Sequence, residues 1–267
     1  MGEIEGIKSI NKKNYRIFYI DRFTKAIQKA LREHLVAICY GGVFVDSPHK
    51  MYSYKNTVKE FLKRYDSKAE DTQKGLIGEL LVHFLVAEYF ANFETVTPFF
   101  NMEERSIKKG YDVVLTESKS ATIWLIEVKS GELHKNKNAD ETIVDLLNTA
   151  KRDLNERLNE ENQSLWQEAI NGARLAYKSC NDIKDAVVNI LENYGDDASE
   201  GIYRSRDKNI FISSVLFSDL VDCISEEIIS DKRKRIQGEA IFKQVFVLAV
   251  QKGTYQKVYE FLKKEAE

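Results

Sequence analysis

The stretch Ala121 to Ser130, A-T-I-W-L-I-E-V-K-S, constrains the fold of this chain more than any other. Its run of Ile123, Trp124, Leu125 and Ile126 combines β-branched and aromatic side chains, the mark of a buried strand. The strand then ends in two charges. Successive side chains on a strand point to opposite faces, so Glu127 and Lys129 share one face while Ile126 and Val128 share the other. Taken alone, this E-x-K is an ordinary ion pair at a strand end.

The sequence upstream gives it more meaning. Gly110 to Leu115, G-Y-D-V-V-L, reads as a second short strand with an acid near its beginning, and the polar spacer Thr116 to Ser120 is short enough to join antiparallel neighbours. Pairing in this way brings Asp112 toward Glu127 and Lys129. Carboxylate oxygens suit a hard cation such as Mg²⁺ or Mn²⁺, which needs few protein ligands because it keeps waters and takes substrate phosphate. The ammonium of Lys129 beside such an ion could stabilise developing negative charge or help orient and deprotonate an attacking water; the residues leave both roles open.

A third acid lies on the apolar helix expected from Gly75 to about Phe90 (G-L-I-G-E-L-L-V-H-F-L-V-A-E-Y-F). At helical spacing Glu79 neighbours Gly75, Leu76, Val82, His83 and Val86, so its carboxylate sits on a mostly apolar face. Such a carboxylate takes up a proton, finds a donor or binds a cation. The plainer reading makes Glu79 a first-turn acid that satisfies the helix dipole. His83, one helical turn on, could hydrogen-bond it, although a core histidine is the plainer role.

The order G-x-x-G-E, then G-Y-D, then E-V-K resembles the PD-(D/E)xK nuclease superfamily. The resemblance implies an α/β fold with a restriction-endonuclease-like core, a central mixed sheet flanked by helices. It also implies that Glu79, Asp112 and Glu127 hold a divalent metal beside a catalytic Lys129. Tyr111 stands where that superfamily often has proline. More narrowly, K-G-L-I-G-E-L-L with G-Y-D and W-L-I-E-V-K-S-G-E resembles the HamA family, nuclease components of Hachiman antiphage defence. That resemblance implies cleavage of DNA without sequence preference, in a complex with a HamB-like helicase. A different class of reading also stands: a non-catalytic interaction module on the same scaffold that regulates the helicase.

Composition restricts the surroundings. Forty basic residues against 42 acidic ones leave a net charge of −2, so any phosphate-binding surface must be local. Three widely separated cysteines, Cys39, Cys180 and Cys223, lack metal-ligand spacing and are expected to be reduced core residues in a cytoplasm. The first residues carry no signal pattern, and no apolar run suffices to span a bilayer.

Along the chain, residues 1–71 are expected as an N-terminal α/β extension, a separate subdomain or further layers on one sheet. The extension would hold a strand over Asn14–Ile20, a helix capped by Asp21 and stopped by Gly41-Gly42, a short strand over Gly42–Asp46 and a helix over Thr57–Tyr65. Residues 72–267 form the nuclease-like domain, with its first strand over Phe93–Phe100, where Pro98 marks an edge or strand end. A helix follows over Thr142–Leu158. A helical insertion spans about 159–208, with helices over Gln163–Ser179 and Asn181–Leu191 and a polar loop over Asn193–Asp207. Strands over Asn209–Phe217 and Lys243–Val250 and an amphipathic helix over Thr254–Lys264 complete the chain. In the loop after Lys129, Lys135 and Lys137 are candidates for nucleic-acid phosphates. The clusters Lys232–Arg235 and Arg204 with Arg206 are alternatives, though such runs are usually solvated faces. Ser130 has no base nearby in sequence, which disfavours nucleophilic catalysis.

Overall fold

The protein is described by a computed structural model covering residues 4–100, 111–160, 163–176, 181–202 and 204–267. Its centre is β5 (Ile123–Glu132), whose first six residues are all buried. On one side β5 pairs antiparallel with β4 (Val113–Glu117), with Val113 opposite Ile126, and β4 pairs with the short edge strand β3 (Phe93–Thr95). On the other side it runs parallel to β6 (Asn209–Phe217), which runs parallel to β7 (Gln244–Lys252). Next comes β2 (Tyr15–Ile20), parallel to β7, and then its hairpin partner β1 (Ile7–Asn11). Among the described residues one mixed sheet of seven strands results, in the order β1-β2-β7-β6-β5-β4-β3.

Both faces of this sheet are covered, which is why its inner strands read as continuous apolar runs rather than alternating ones. One face, carrying Phe18, Leu115, Trp124, Ile126, Phe211 and Val250, packs beneath α1 (Lys25–Tyr40), α2 (Tyr54–Asp66), α3 (Glu70–Tyr89) and α8 (Gln256–Ala266). The opposite face, carrying Ile17, Val114, Leu125, Ile212 and Val247, packs beneath α4 (Ala139–Leu158), α5 (Gln163–Ala176), α6 (Asn181–Ser199) and α7 (Glu226–Gly238). Residues 7–66 therefore contribute an edge hairpin to the common sheet and two helices to the layer that contains α3. Among the described residues no helix is long and apolar enough to cross a membrane.

Several sequence expectations change, each for a local reason. Thr24, not Asp21, caps α1, accepting the Ile27 N–H at 3.3 Å. Residues 42–44 form a 3-10 turn instead of a strand. The strand expected over Phe93–Phe100 ends at Thr95, because the Phe99 and Phe100 amides bond to the Ile38 and Cys39 carbonyls at the end of α1. Those two rings are buried by packing between helices, which a β-like composition does not distinguish from a strand. The loop expected from Asn193 is helix as far as Ser199. Cys39 is buried as expected, whereas Cys223 is exposed; Cys180 lies outside the described residues.

Lys252, at the end of β7, is only 3% exposed and lies 5.7 Å from the Phe23 ring centroid. Among the described residues no carboxylate pairs with it. Burial, helped by the charge of Lys257, lowers its pKa to about 8. The folded chain therefore gives up this proton more easily than the unfolded chain, so stability should rise with pH between about 8 and the ordinary lysine value. Lys252→Met should gain about 1–3 kcal/mol at pH 7 and flatten that rise, as read from denaturation midpoints at several pH values.

Candidate functional site

The hairpin of β4 and β5 delivers the first part of the site. Asp112 immediately precedes β4, and its Oδ2 accepts the backbone N–H of Val128 at 2.7 Å, which fixes the carboxylate beside the end of β5. Glu127 is fully buried at that end. Lys129, on the same face as Glu127, donates to Glu127 Oε1 at 2.7 Å. The three residues expected from the two strands are thus neighbours.

Helix α4 adds two more residues. Its start is fixed by a capping box in which Asn138 and Glu141 bond reciprocally to each other's backbone amides. Its apolar stripe of Ile143, Leu147, Ala150 and Leu154 seats it on β5 and β6. Along the flank of that stripe, Asp153 and Arg157 stand one turn apart and face the strand charges. Arg157 donates to Glu127 Oε2 at 2.8 Å, and Asp153 lies 2.9 Å from the Lys129 ammonium. Sequence reading missed both. The available signal was a pair of opposite charges bordering the buried positions of the helix that follows E-x-K.

Electrostatics follow from this packing. Burial, followed by the charge of Asp112, raises the Glu127 pKa, and Lys129 and Arg157 offset only part of that rise. Burial alone would lower the pKa of Lys129, but the hydrogen bonds and charges of Glu127 and Asp153 outweigh it, and the net shift is upward. Asp153 goes the other way: burial opposes ionisation, yet Lys129 and the exposed Arg152 hold its carboxyl below the ordinary range. Two hydroxyls complete the surroundings. Ser214 on β6 sits directly opposite Lys129 in register, and among the described residues its Oγ, like the Tyr111 hydroxyl, is buried without a hydrogen-bond partner.

Glu79 comes to β5 from the opposite face. It lies in the middle of α3, whose first-turn acids are Glu70 and Asp71, so satisfying the helix dipole is not its role. The adjacent Gly78 presses so closely on Ser130 that a Cβ added there would lie 1.7 Å from the Ser130 Oγ. Glu79 Oε1 is 3.8 Å from His83 Nε2, beyond hydrogen-bond range, and the buried His83 ring packs edge-on against Phe99. The Ser130 Oγ packs against this helix and, among the described residues, is buried without a hydrogen-bond partner. Lys135 and Lys137 lie exposed in the loop between β5 and α4, with Lys137 paired to Asp145. Of the other basic clusters, Arg233 bonds the Val245 carbonyl and Lys234 pairs with Asp231. Gly110, expected to open β4, lies outside the described residues.

Whether a metal ion suits this site depends on the donors. Among the described residues no three carboxylate, imidazole or thiol groups are gathered to hold one. Both oxygens of Glu127 already accept from cations. The chemistry nevertheless fits a hard divalent ion. Asp112, just before β4, and Glu127, on β5, supply oxygen donors, and the charge of Asp112 disfavours ionisation of Glu127.

No curated protein matches the chain. The family whose model does match is HamA, over residues 2–265 of 267, which places the motifs of β4, β5 and α3 and both helical layers within one family match. The chain belongs to the HamA family.

Proposed function

We propose that this chain is a metal-dependent nuclease of the PD-(D/E)xK kind that hydrolyses DNA phosphodiester bonds without sequence preference. In this reading it is the effector subunit of a Hachiman helicase–nuclease defence complex, as HamA membership suggests. One observation supports the chemistry above all: Asp112, Glu127 and Lys129, separated along the chain, meet at the end of a buried strand. Asp112 and Glu127 would hold Mg²⁺ or Mn²⁺; Glu79, the third ligand that the superfamily resemblance implies, comes to β5 from the opposite face and is not gathered with them. Bound there, the ion would supply Lewis-acid polarisation of a phosphate and a more acidic water. Lys129, held by Glu127 and Asp153, keeps its proton and places fixed positive charge where a pentavalent phosphate would gather negative charge. Lys135 and Lys137, exposed in the loop that follows β5, would touch the flanking backbone, where fixed charge suffices.

The closed ion-pair set around Glu127 supports a competing reading, a non-catalytic scaffold that regulates a partner helicase. Incubating plasmid with Mg²⁺ and the chain, alone and with the helicase of its system, separates the two. Nicking that disappears with EDTA supports the nuclease. Intact plasmid in both conditions, across Mg²⁺ and Mn²⁺ and with helicase substrates present, supports the scaffold.

A further inference from the structure

The outer face of α2 carries a row of like charges. Its apolar side chains Val58, Phe61, Leu62 and Tyr65 are buried, while Lys55, Lys59 and Lys63 stand exposed at four-residue intervals on the other side. Lysines at this spacing on a helix repel one another and weaken it. The nearby acids are engaged elsewhere: Glu60 lies 2.9 Å from Arg64, and Asp66 takes a hydrogen bond from Tyr259 of α8. Among the described residues neither Lys59 nor Lys63 has an acid within ion-pair distance. α2 packs beside α1 and α8, and Arg32 of α1 forks onto Glu265 of α8 at 2.6 and 2.8 Å, so the three helices present one surface. They carry ten Lys and Arg against five Asp and Glu, in a chain whose net charge is −2. Positive charge is concentrated on this layer.

From this placement we propose that the face formed by α1, α2 and α8 binds the phosphate backbone of duplex DNA, with the lysine row of α2 at its centre. Neighbouring lysines of the row rise about 6 Å along the helix, and the whole row about 12 Å. A DNA strand carries a charge about every 3.4 Å, so the row covers about three or four phosphates. An acidic protein is the other partner that such charge could attract. Protein interfaces, however, are depleted in lysine and built around buried aromatic or apolar anchors, whereas the exposed residues of α2 are three lysines, Asn56 and Asp66. No acid interrupts the row, so it offers no charge register to read, which suits a uniform backbone. The face belongs to the helical layer opposite α4, the helix whose Asp153 and Arg157 adjoin Lys129 and Glu127. A duplex held there is tethered away from the proposed cleavage site, and holding it needs neither metal nor cleavage. The inference therefore goes beyond the nuclease reading and is tested apart from it.

The measurement is fluorescence anisotropy of a fluorescein-labelled duplex of about 30 base pairs, in two unrelated sequences, titrated with the full chain in EDTA at several salt concentrations. Wild type should bind both duplexes alike, with affinity that falls steeply with salt. The double variant Lys59→Gln, Lys63→Gln should bind both about tenfold or more weakly at about 50 mM salt, and its slope of log affinity against log salt should be shallower by about 2. The double variant Lys59→Arg, Lys63→Arg, which keeps the charge, should stay within about twofold of wild type. Thermal melts establish that the variants are folded; the glutamine pair relieves repulsion on an exposed face and should melt no lower than wild type. Unchanged affinity and slope in the glutamine pair overturn the proposal, as does a wild-type chain that leaves both duplexes free. Loss of binding to the helicase of its system in that variant, with DNA binding unchanged, assigns the face to an acidic protein and overturns it as well. Binding that behaves as expected in a chain that never cleaves strikes the nuclease reading and leaves this face standing.

Discussion

Glu127→Ala and Lys129→Ala should each reduce Mg²⁺-dependent plasmid cleavage by roughly three orders of magnitude or more, the scale seen when a group acting only in the transition state is removed. The fold should survive both changes. In Glu127→Ala the remaining Lys129 keeps Asp153 at 2.9 Å, and Arg157 is already partly exposed to solvent. In Lys129→Ala the buried Glu127 still has Arg157, and its carboxyl can take up a proton, since burial and Asp112 already raise its pKa. Asp112→Asn is the more discriminating variant. An asparagine Oδ1 can still accept the Val128 N–H that Asp112 accepts at 2.7 Å, so the hairpin stays pinned while the charge is gone. Its cleavage should fall by about two orders of magnitude with an unchanged melting temperature. Full activity in the Glu127 and Lys129 variants would mean that any cleavage happens elsewhere in the protein.

The residues that meet at this site differ in how openly the sequence displays them. Asp112, Glu127 and Lys129 lie on a hairpin, so the distance between them is set by a few residues of turn and by strand alternation, both local properties. The neighbours of that hairpin are not local. β6 reaches β5 only after the whole of α4, α5 and α6, and β2 joins β7 from the other end of the chain. No periodicity encodes those parallel pairings, because a strand buried on both faces shows only an apolar run. Asp153 and Arg157 escaped for another reason. Opposite charges one turn apart are common on solvated helices, and only the tertiary position of α4 turns them inward. The helix through Gly195 shows the reverse error: a polar, glycine-containing stretch reads as loop, yet it is held by the packing of α6 against α5.

The contact that carries α3 onto β5 makes the second large prediction, because two glycines in one helix should respond with opposite signs. Replacing glycine by alanine inside a helix normally gains about 1 kcal/mol. At Gly75 an added Cβ meets nothing within 4 Å, so Gly75→Ala should show that gain or a good part of it. At Gly78 the same atom would fall 1.7 Å from the Oγ and 2.7 Å from the Cβ of Ser130, with the Val215 Cβ at 3.5 Å beyond. Overpacking of this kind costs about 1–3 kcal/mol, and a clash with a strand residue leaves little room to give, so Gly78→Ala should be a net loss and Gly78→Val a larger one. Removing the obstacle tests the cause. Ser130→Gly should restore most of what Gly78→Ala loses, giving a coupling of about 1–2 kcal/mol in a denaturation cycle, because the side chain removed is the one struck. A Gly78→Ala variant as stable as Gly75→Ala would mean that α3 lies farther from the sheet.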